Sequence, residues 1–335
     1  MPDYTKAPAR NGNVTLYSNS PCINAGNNTA ADTLVQTDLL GSPRIQDGTI
    51  DIGAYEGGIS IDARRIYVDA QAGGNNDGTS WSNAFTSLQD ALDQASFADS
   101  IWVAAGTYLP EKDKNGSGTP SDLRTKTFFI PSYVKVYGGF DGTETSLSGR
   151  NPEEHETILS GDLGTVGDGI DNAYHVVYFE NVHALTLLSG FTIQDGNADG
   201  SGDNARGGGI YNVASEYGQK SNPQISNCLI TENDAASGAG IYNDGEKGSC
   251  QPQLFHCTIS LNEATSNGGG IYNMGCSPEL TSCIISYNTA SGDGGGAYNN
   301  PYSTGSVIKP VFANCLIYGN QASRAAAMMN RGNGS

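Results

Sequence analysis

The chain has 335 residues, 35 Asp plus Glu against 17 Lys plus Arg, and a formal net charge of −18, which excludes the clustered basic surface that a nucleic-acid partner requires. No run approaches the roughly 18 consecutive apolar residues of a membrane span, and Met1-Pro2-Asp3-Tyr4 lacks the regions of a signal peptide, which leaves a cytosolic chain or one whose leader is gone. The 45 Gly are close to double the usual share without any Gly-X-Y period, and Val, Ile, Tyr and Phe recur throughout, so many short strands joined by turns are expected.

In chain order, residues 1–58 form a segment of their own, with an apolar run at Val14-Thr15-Leu16-Tyr17 and then Pro21-Cys22-Ile23-Asn24. From residue 59 to 335 the pattern is strand after strand. Short strands flanked by turn residues are predicted at Ile66-Tyr67-Val68, Ile101-Trp102-Val103, Val134-Lys135-Val136-Tyr137, Val176-Val177-Tyr178 and Phe191-Thr192-Ile193. Between the first two, Ser87 to Ala95 has helical apolar spacing behind a Ser that can serve as N-cap. Such a helix covers the open strand edge at the N-terminal end of a stack.

From residue 207 the sequence repeats. Gly207-Gly208-Gly209-Ile210-Tyr211-Asn212 returns as Gly238-Ala239-Gly240-Ile241-Tyr242-Asn243, as Gly268-Gly269-Gly270-Ile271-Tyr272-Asn273 and as Gly294-Gly295-Gly296-Ala297-Tyr298-Asn299, with a degenerate copy at Ala325-Ala326-Ala327-Met328-Met329-Asn330. Between copies runs a second pattern of Pro, apolar, Cys, Ile and Asn: Pro223, Ile225, Cys228, Ile230, Asn233, and then its equivalents through Cys257 and Asn262, Cys283 and Asn288, Cys315 and Asn320. The steps are 29, 26 and 32 residues for each Pro, Cys and Asn alike. No unit of this size buries its own apolar positions, so the units must stack. If each is one turn of a parallel β-solenoid, equivalent residues lie about 4.8 Å apart. Cys228, Cys257, Cys283 and Cys315 then form a buried, reduced column, Cys22 remains reduced as well, and Asn233, Asn262, Asn288 and Asn320 are placed in left-handed turns, bonding up and down. The full stack is expected to hold roughly ten coils over about 45–50 Å.

The run Ile66-Tyr67-Val68-Asp69, Asn76-Asp77-Gly78-Thr79-Ser80-Trp81, the helix, Ile101-Trp102-Val103-Ala104-Ala105-Gly106-Thr107-Tyr108 and Tyr137-Gly138-Gly139-Phe140 resembles the start of choice-of-anchor Q domain proteins. The Gly-Gly-Gly-Ile-Tyr-Asn and Cys-x-Ile-x-x-Asn coils are also similar to polymorphic outer-membrane-protein repeats. The resemblance implies an all-β, right-handed single-stranded parallel β-helix with a short capping α-helix, on an extracellular or cell-surface protein. It implies little about activity. Ser20-Pro21-Cys22-Ile23-Asn24-Ala25-Gly26, Pro43-Arg44-Ile45 and Ile50-Asp51-Ile52-Gly53-Ala54-Tyr55-Glu56 look like the segment that closes such a domain at its C-terminal end, and here they come first.

Several constellations could carry chemistry. Asp195, Asn197, Asp199 and Asp203 fall at positions 1, 3, 5 and 9 of a calcium-loop pattern with Gly200 at 6, but Arg206 stands where the bidentate Glu belongs. Asp162, Asp168 and Asp171 share another acidic loop; Ca2+ is the only cofactor either loop suggests, and a solvated turn is the rival for both. Cys250 and Cys276 sit on adjacent rungs within disulfide range, although parallel geometry aims the Cβ atoms poorly and weights the expectation toward free thiols. Tyr211, Tyr242, Tyr272 and Tyr298 alternate with inward residues, so their rings face outward, either stacking on one another or presenting a stripe to sugars or a protein. His155, His175, His183 and His256 share no repeat position, His256 reading as a surface strand residue, and the Gly-His-Gly and Arg-Ile-Lys motifs of polygalacturonases do not occur.

The leading expectation is a structural or adhesive protein, not an enzyme, that assembles head to tail. In it Leu16, Cys22 and Ile23 of one copy bury against Ile317 and Met328 of another. A carbohydrate- or surface-binding module is the alternative, and a polysaccharide lyase or hydrolase the second alternative.

Overall fold

The computed structural model describes residues 63–302 and 307–332. The chain divides into two units, Met1–Ala63 and Arg64–Ser335, whereas the sequence pattern changes at residue 58. All the described strand-to-strand pairings are parallel, and they build four sheets of eight, seven, seven and five strands. The fold is a right-handed parallel β-helix with a short capping helix. Its longest sheet holds eight strands among the described residues, fewer than the ten coils expected.

One regular coil shows how the sequence does this. Gln224–Ser226 belongs to the eight-stranded sheet, Leu229–Thr231 to the next, Asp234–Ala235 to the narrow five-stranded sheet, and Ile241–Asp244 to the sheet that carries the tyrosines. Two sharp corners separate the first three strands. At each, one residue adopts left-handed backbone: Asn227 (φ 52) and Glu232 (φ 55) here, His256 and Leu261, then Ser282 and Tyr287, in the coils that follow. The ladder asparagines come one residue later and are not themselves left-handed, which corrects the expectation. Leu and Tyr are costly in that region, and the following Asn holds the bend. Asn262 Nδ2 donates to Ser260 O and to Ile230 O of the coil before, both at 3.0 Å, and to Asn288 Oδ1 at 2.9 Å, while Asn262 Oδ1 accepts from Asn233 Nδ2 at 3.0 Å. His256 is thereby an exposed corner residue and not part of a strand.

A second ladder runs through Asn212, Asn243, Asn273, Asn299 and Asn330, each Nδ2 donating to the next Oδ1 at 2.7–3.0 Å. The first and third glycines of the triplet before it are sterically required, whereas the middle position accepts Ala239. Gly238 is left-handed (φ 62), and a Cβ on Gly240 would meet Gly270 O of the next coil at 2.6 Å.

The Cys column points inward with Ile230, Ile259 and Ile285, and Cys228, Cys257 and Cys283 are buried free thiols, while Cys315 is only partly covered. The four tyrosines do leave this core. They are nevertheless buried, at 1–6% exposure, in a separate cluster with Tyr178. Tyr242 and Tyr272 stack at 4.8 Å, Tyr211 OH donates to Asp244 Oδ2 at 2.9 Å, and Arg206 lies 5.3 Å over the Tyr242 ring. The stripe is therefore not offered to a ligand, and stacking on itself is what the rings do.

At the other end of the described helix, α1 (Leu88–Gln94) starts at Ser87, whose hydroxyl accepts from Gln89 N, and buries Leu88, Ala91 and Leu92 against the strands Arg65–Val68 and Ser100–Ala104. Here single clamps replace ladders. Arg64 forks onto Asp99 through Nε at 3.1 Å and a terminal nitrogen at 2.6 Å. Burial pushes the Asp99 carboxyl up, but the hydrogen bonds from Arg64 and from the Ser96 and Arg64 backbone outweigh it and hold it below the usual range.

Candidate functional site

Val311–Ala313, Leu316–Tyr318, Gln321–Arg324 and Met328–Asn330 are the terminal strands of all four sheets, and among the described residues nothing pairs beyond them. One coil earlier the core positions Leu280, Cys283, Ile285 and Ala297 are 0–1% exposed. Their partners in register, Phe312, Cys315, Ile317 and Met328, are only half-buried, and Leu316 beside them is 55% exposed. Unpaired strand edges and an uncovered core coincide here, the combination that recruits another strand. The edge is not uniform. A Cβ on Gly296 would lie 2.4 Å from Ala327 O, so the third Gly of each triplet is demanded by the coil above it, whereas Ala327 carries the methyl group that regular stacking excludes. That methyl group sets the Ala325-Ala326-Ala327 corner apart from the rest of the edge, Val311–Tyr318.

On the flank lies a cleft of about 920 Å3, lined among others by Arg150, Glu153, Glu156, Asn227 and His256. Arg150 is fixed there: its guanidinium donates to Gly138 O at 3.0 Å, to Ser189 O at 3.1 Å and to Ser189 Oγ at 2.8 Å, and lies 5.2 Å over the Tyr137 ring. Burial lowers its pKa from the ordinary arginine value. Glu156 accepts from Thr192 Oγ1 at 2.9 Å, while Glu153 and His256 are exposed. The arrangement offers charged and hydrogen-bonding groups to a polar ligand.

The residues singled out in the sequence are distributed as follows. Asp195 Oδ2 accepts from Ser160 Oγ at 2.7 Å, Asn197 Nδ2 donates to Gly169 O at 2.7 Å, Asp199 pairs with Arg124 at 2.7 Å and Asp203 with Arg206 at 3.5 Å. Each is committed to a different partner, and two already have a cation, so the calcium-loop spacing does not translate into a common centre. Cys250 and Cys276 are joined in a disulfide, against the weighting toward free thiols. Rungs adjacent in the stack place their Cα atoms 4.9 Å apart, well inside bonding range. Ile317 and Met328 lie on the last coil; Leu16, Cys22 and Ile23 lie outside the described residues.

One grouping gave no signal in the sequence. Asp141, Glu144 and His155 bring ligand atoms within 4.8 Å of one another. Glu144 accepts from the backbone N–H groups of Asp141 (2.7 Å), Gly142 and Thr143, and Asp141 Oδ1 accepts from Thr143 Oγ1 at 2.6 Å. The Thr143 hydroxyl holds Asp141 below the usual carboxylate range, with His155 a smaller contribution. The carboxylates are serving the turn that carries them.

No family model matches the chain, nor does any curated protein. Among solved structures it is similar to pectate lyase Pel9A, at 12% identity over 80% of this chain and 78% of that one with a TM-score of 0.36. It is also similar to the pectin methylesterase from Aspergillus niger, at 16% identity over 81% and 91% with a TM-score of 0.29. Likenesses this distant assign no chemistry to the chain. No helix among the described residues is long and apolar enough to cross a membrane.

Proposed function

We propose that the protein is an extracellular structural or adhesive β-helix, of the choice-of-anchor Q kind, that assembles head to tail by strand addition at its open coil. The observation that carries this reading is the half-exposed core of that coil, Phe312, Cys315, Ile317 and Met328, in register with fully buried equivalents one rung before. The occupant is the segment 14–24 of a second copy. Leu16, Cys22 and Ile23 supply apolar side chains, and Pro21-Cys22-Ile23-Asn24 echoes the Pro and Cys elements of a coil. Ala327 directs the added strand to Val311–Tyr318 and away from the alanine corner. The Cys250–Cys276 disulfide accords with export to an oxidising compartment.

Sedimentation velocity over a wide concentration range tests this. The full chain is expected to form concentration-dependent oligomers, while deletion of residues 1–24 or Ile317→Lys leaves a folded monomer. A full chain that stays monomeric at high concentration, because its own first segment caps the edge or because nothing does, overturns the proposal. A second reading rests on the Arg150–His256 cleft, whose size and polarity suit a saccharide. Binding of acidic and neutral polysaccharides, measured with wild type and with Glu156→Gln, decides it; equal binding by both proteins removes the cleft from consideration.

A further inference from the structure

The loop 162–172 is closed at its base by the Ala173 N–H donating to Gly161 O at 2.8 Å, which sets Asp162 and Asn172 side by side. Two carboxylates are locked inside it by the loop's own backbone. Asp162 Oδ2 accepts from Gly167 N at 2.9 Å, and Asp171 Oδ2 accepts from Thr165 N at 2.8 Å. Asp171 is pressed so close to Gly164 that a Cβ there would lie 2.3 Å from Oδ2. In each case the second oxygen is left over. Asp162 Oδ1, Asp171 Oδ1 and Asn172 Oδ1 are all shielded from solvent and have no hydrogen-bond partner, and Asn172 as a whole is only 9% exposed.

Three orphaned oxygens in one loop are unusual. A buried acceptor without a donor is costly, more so when it is charged, and elsewhere in the described residues only single atoms such as Gln89 Oε1 and His175 Nε2 are in that position. The cation that reaches this loop is already engaged. Arg124 donates to Asn172 O at 2.7 Å and Asn197 O at 2.6 Å and pairs with Asp199. A single hard cation would satisfy all three oxygens. Carboxylate and amide oxygens without nitrogen or sulfur are a calcium donor set, and Ca2+ accepts the irregular geometry and remaining waters that a loop provides better than Mg2+ does.

We propose that the loop 162–172 binds Ca2+ through Asp162 Oδ1, Asp171 Oδ1 and Asn172 Oδ1. Asp168, which the acidic spacing suggested as a third ligand, instead accepts from Ile170 N at 3.1 Å and is exposed; Asn172 takes its place. Bound calcium pins the loop that leads from Thr157–Ser160 into Val177–Glu180, the strand on which the first repeat strand, Ile210–Val213, is stacked.

Calorimetric titration of CaCl2 into chelator-treated protein is expected to give one-site heat. Asp171→Asn, and independently Asp162→Asn, should weaken it at least tenfold, while Asp199→Asn leaves it unchanged. Hydrogen exchange on wild type supplies a readout free of any variant: Ca2+ should slow the Thr165 and Gly167 amides, whose acceptors are the two ligand carboxylates, and not those of 195–203. Absence of heat and of any change in exchange at millimolar Ca2+ overturns the proposal. So does calcium binding that Asp199→Asn abolishes and Asp171→Asn does not, which would place the ion in the neighbouring loop.

Discussion

The coils after residue 207 and those before it close the same cross-section by different means. In the regular coils the repeated positions meet their own kind one rung away: Asn on Asn, Tyr on Tyr, Gly carbonyl on Gly. In the earlier coils each solution occurs once, as in Arg64 on Asp99, Arg150 on Gly138 and Ser189, or Trp102 stacked on Phe140 at 4.6 Å. Identical rungs make satisfaction collective, because one Asn serves as donor to the rung before and the rung after. Single clamps keep their failures local.

The sharpest way to break this contrast is Asn262→Leu. It removes the oxygen that accepts from both the backbone and the side-chain nitrogen of Asn233 and the amide that serves the Ile230 and Ser260 carbonyls and Asn288 Oδ1, with an expected loss of about 4 kcal/mol in urea unfolding. Next is acid. His175 is buried, its Nδ1–H donating to Gly207 O at 3.0 Å and its Nε2 unpartnered, and burial first of all lowers its pKa to about 4. A histidine depressed in the fold takes up its proton more readily when unfolded, so stability should fall as pH drops from about 6.5 and the loss should be complete below about 4, near 3 kcal/mol in total. In His175→Gln the difference in melting temperature between pH 7 and pH 5 should shrink. Replacing Cys250 and Cys276 together by Ser opens a 26-residue span and should cost about 2–3 kcal/mol, less than a free loop of that length implies because the rungs stay stacked; denaturation with and without reductant checks it. The smallest effect belongs to the clamp. Arg64→Met should cost about 1–2 kcal/mol at neutral pH, and the deficit relative to wild type should vanish only below the usual carboxylate range, as Asp99 protonates in both proteins.

The sequence made the regular half legible because strict register in a solenoid is spatial alignment: knowing Cys228 and Cys257 recur at equivalent positions is knowing that they touch the same column. Alternation also gave the direction in which Tyr211 and its equivalents leave the strand. It could not give their burial, since the groups over them, Arg206, Asp244 and Asn300, come from stretches that vary from coil to coil. The second corner of each coil was misplaced by one residue because Leu261 and Tyr287 are types that rarely announce such backbone, whereas the Asn after each does; the first corner, at His256, read as strand for the same reason. In the calcium proposal Asn172 escaped notice for a similar reason: acidic spacing counts charges, and its oxygen matters only once the loop is closed over it.

The disulfide between Cys250 and Cys276 has a mechanical consequence. Hydrogen bonds between rungs run parallel to the helix axis, so a pull on the C-terminal end opens them in sequence, coil by coil, rather than shearing them all at once. Each coil of 26 to 32 residues releases roughly 90–110 Å of chain as it peels. The Cys250–Cys276 bond takes its enclosed span out of the force path, because tension passes through the sulfurs to Cys250 and on to the coils before it. Under load the protein would therefore lengthen in discrete steps toward α1, with one step shortened by 26 residues under oxidising conditions and restored to full length once that bond is reduced.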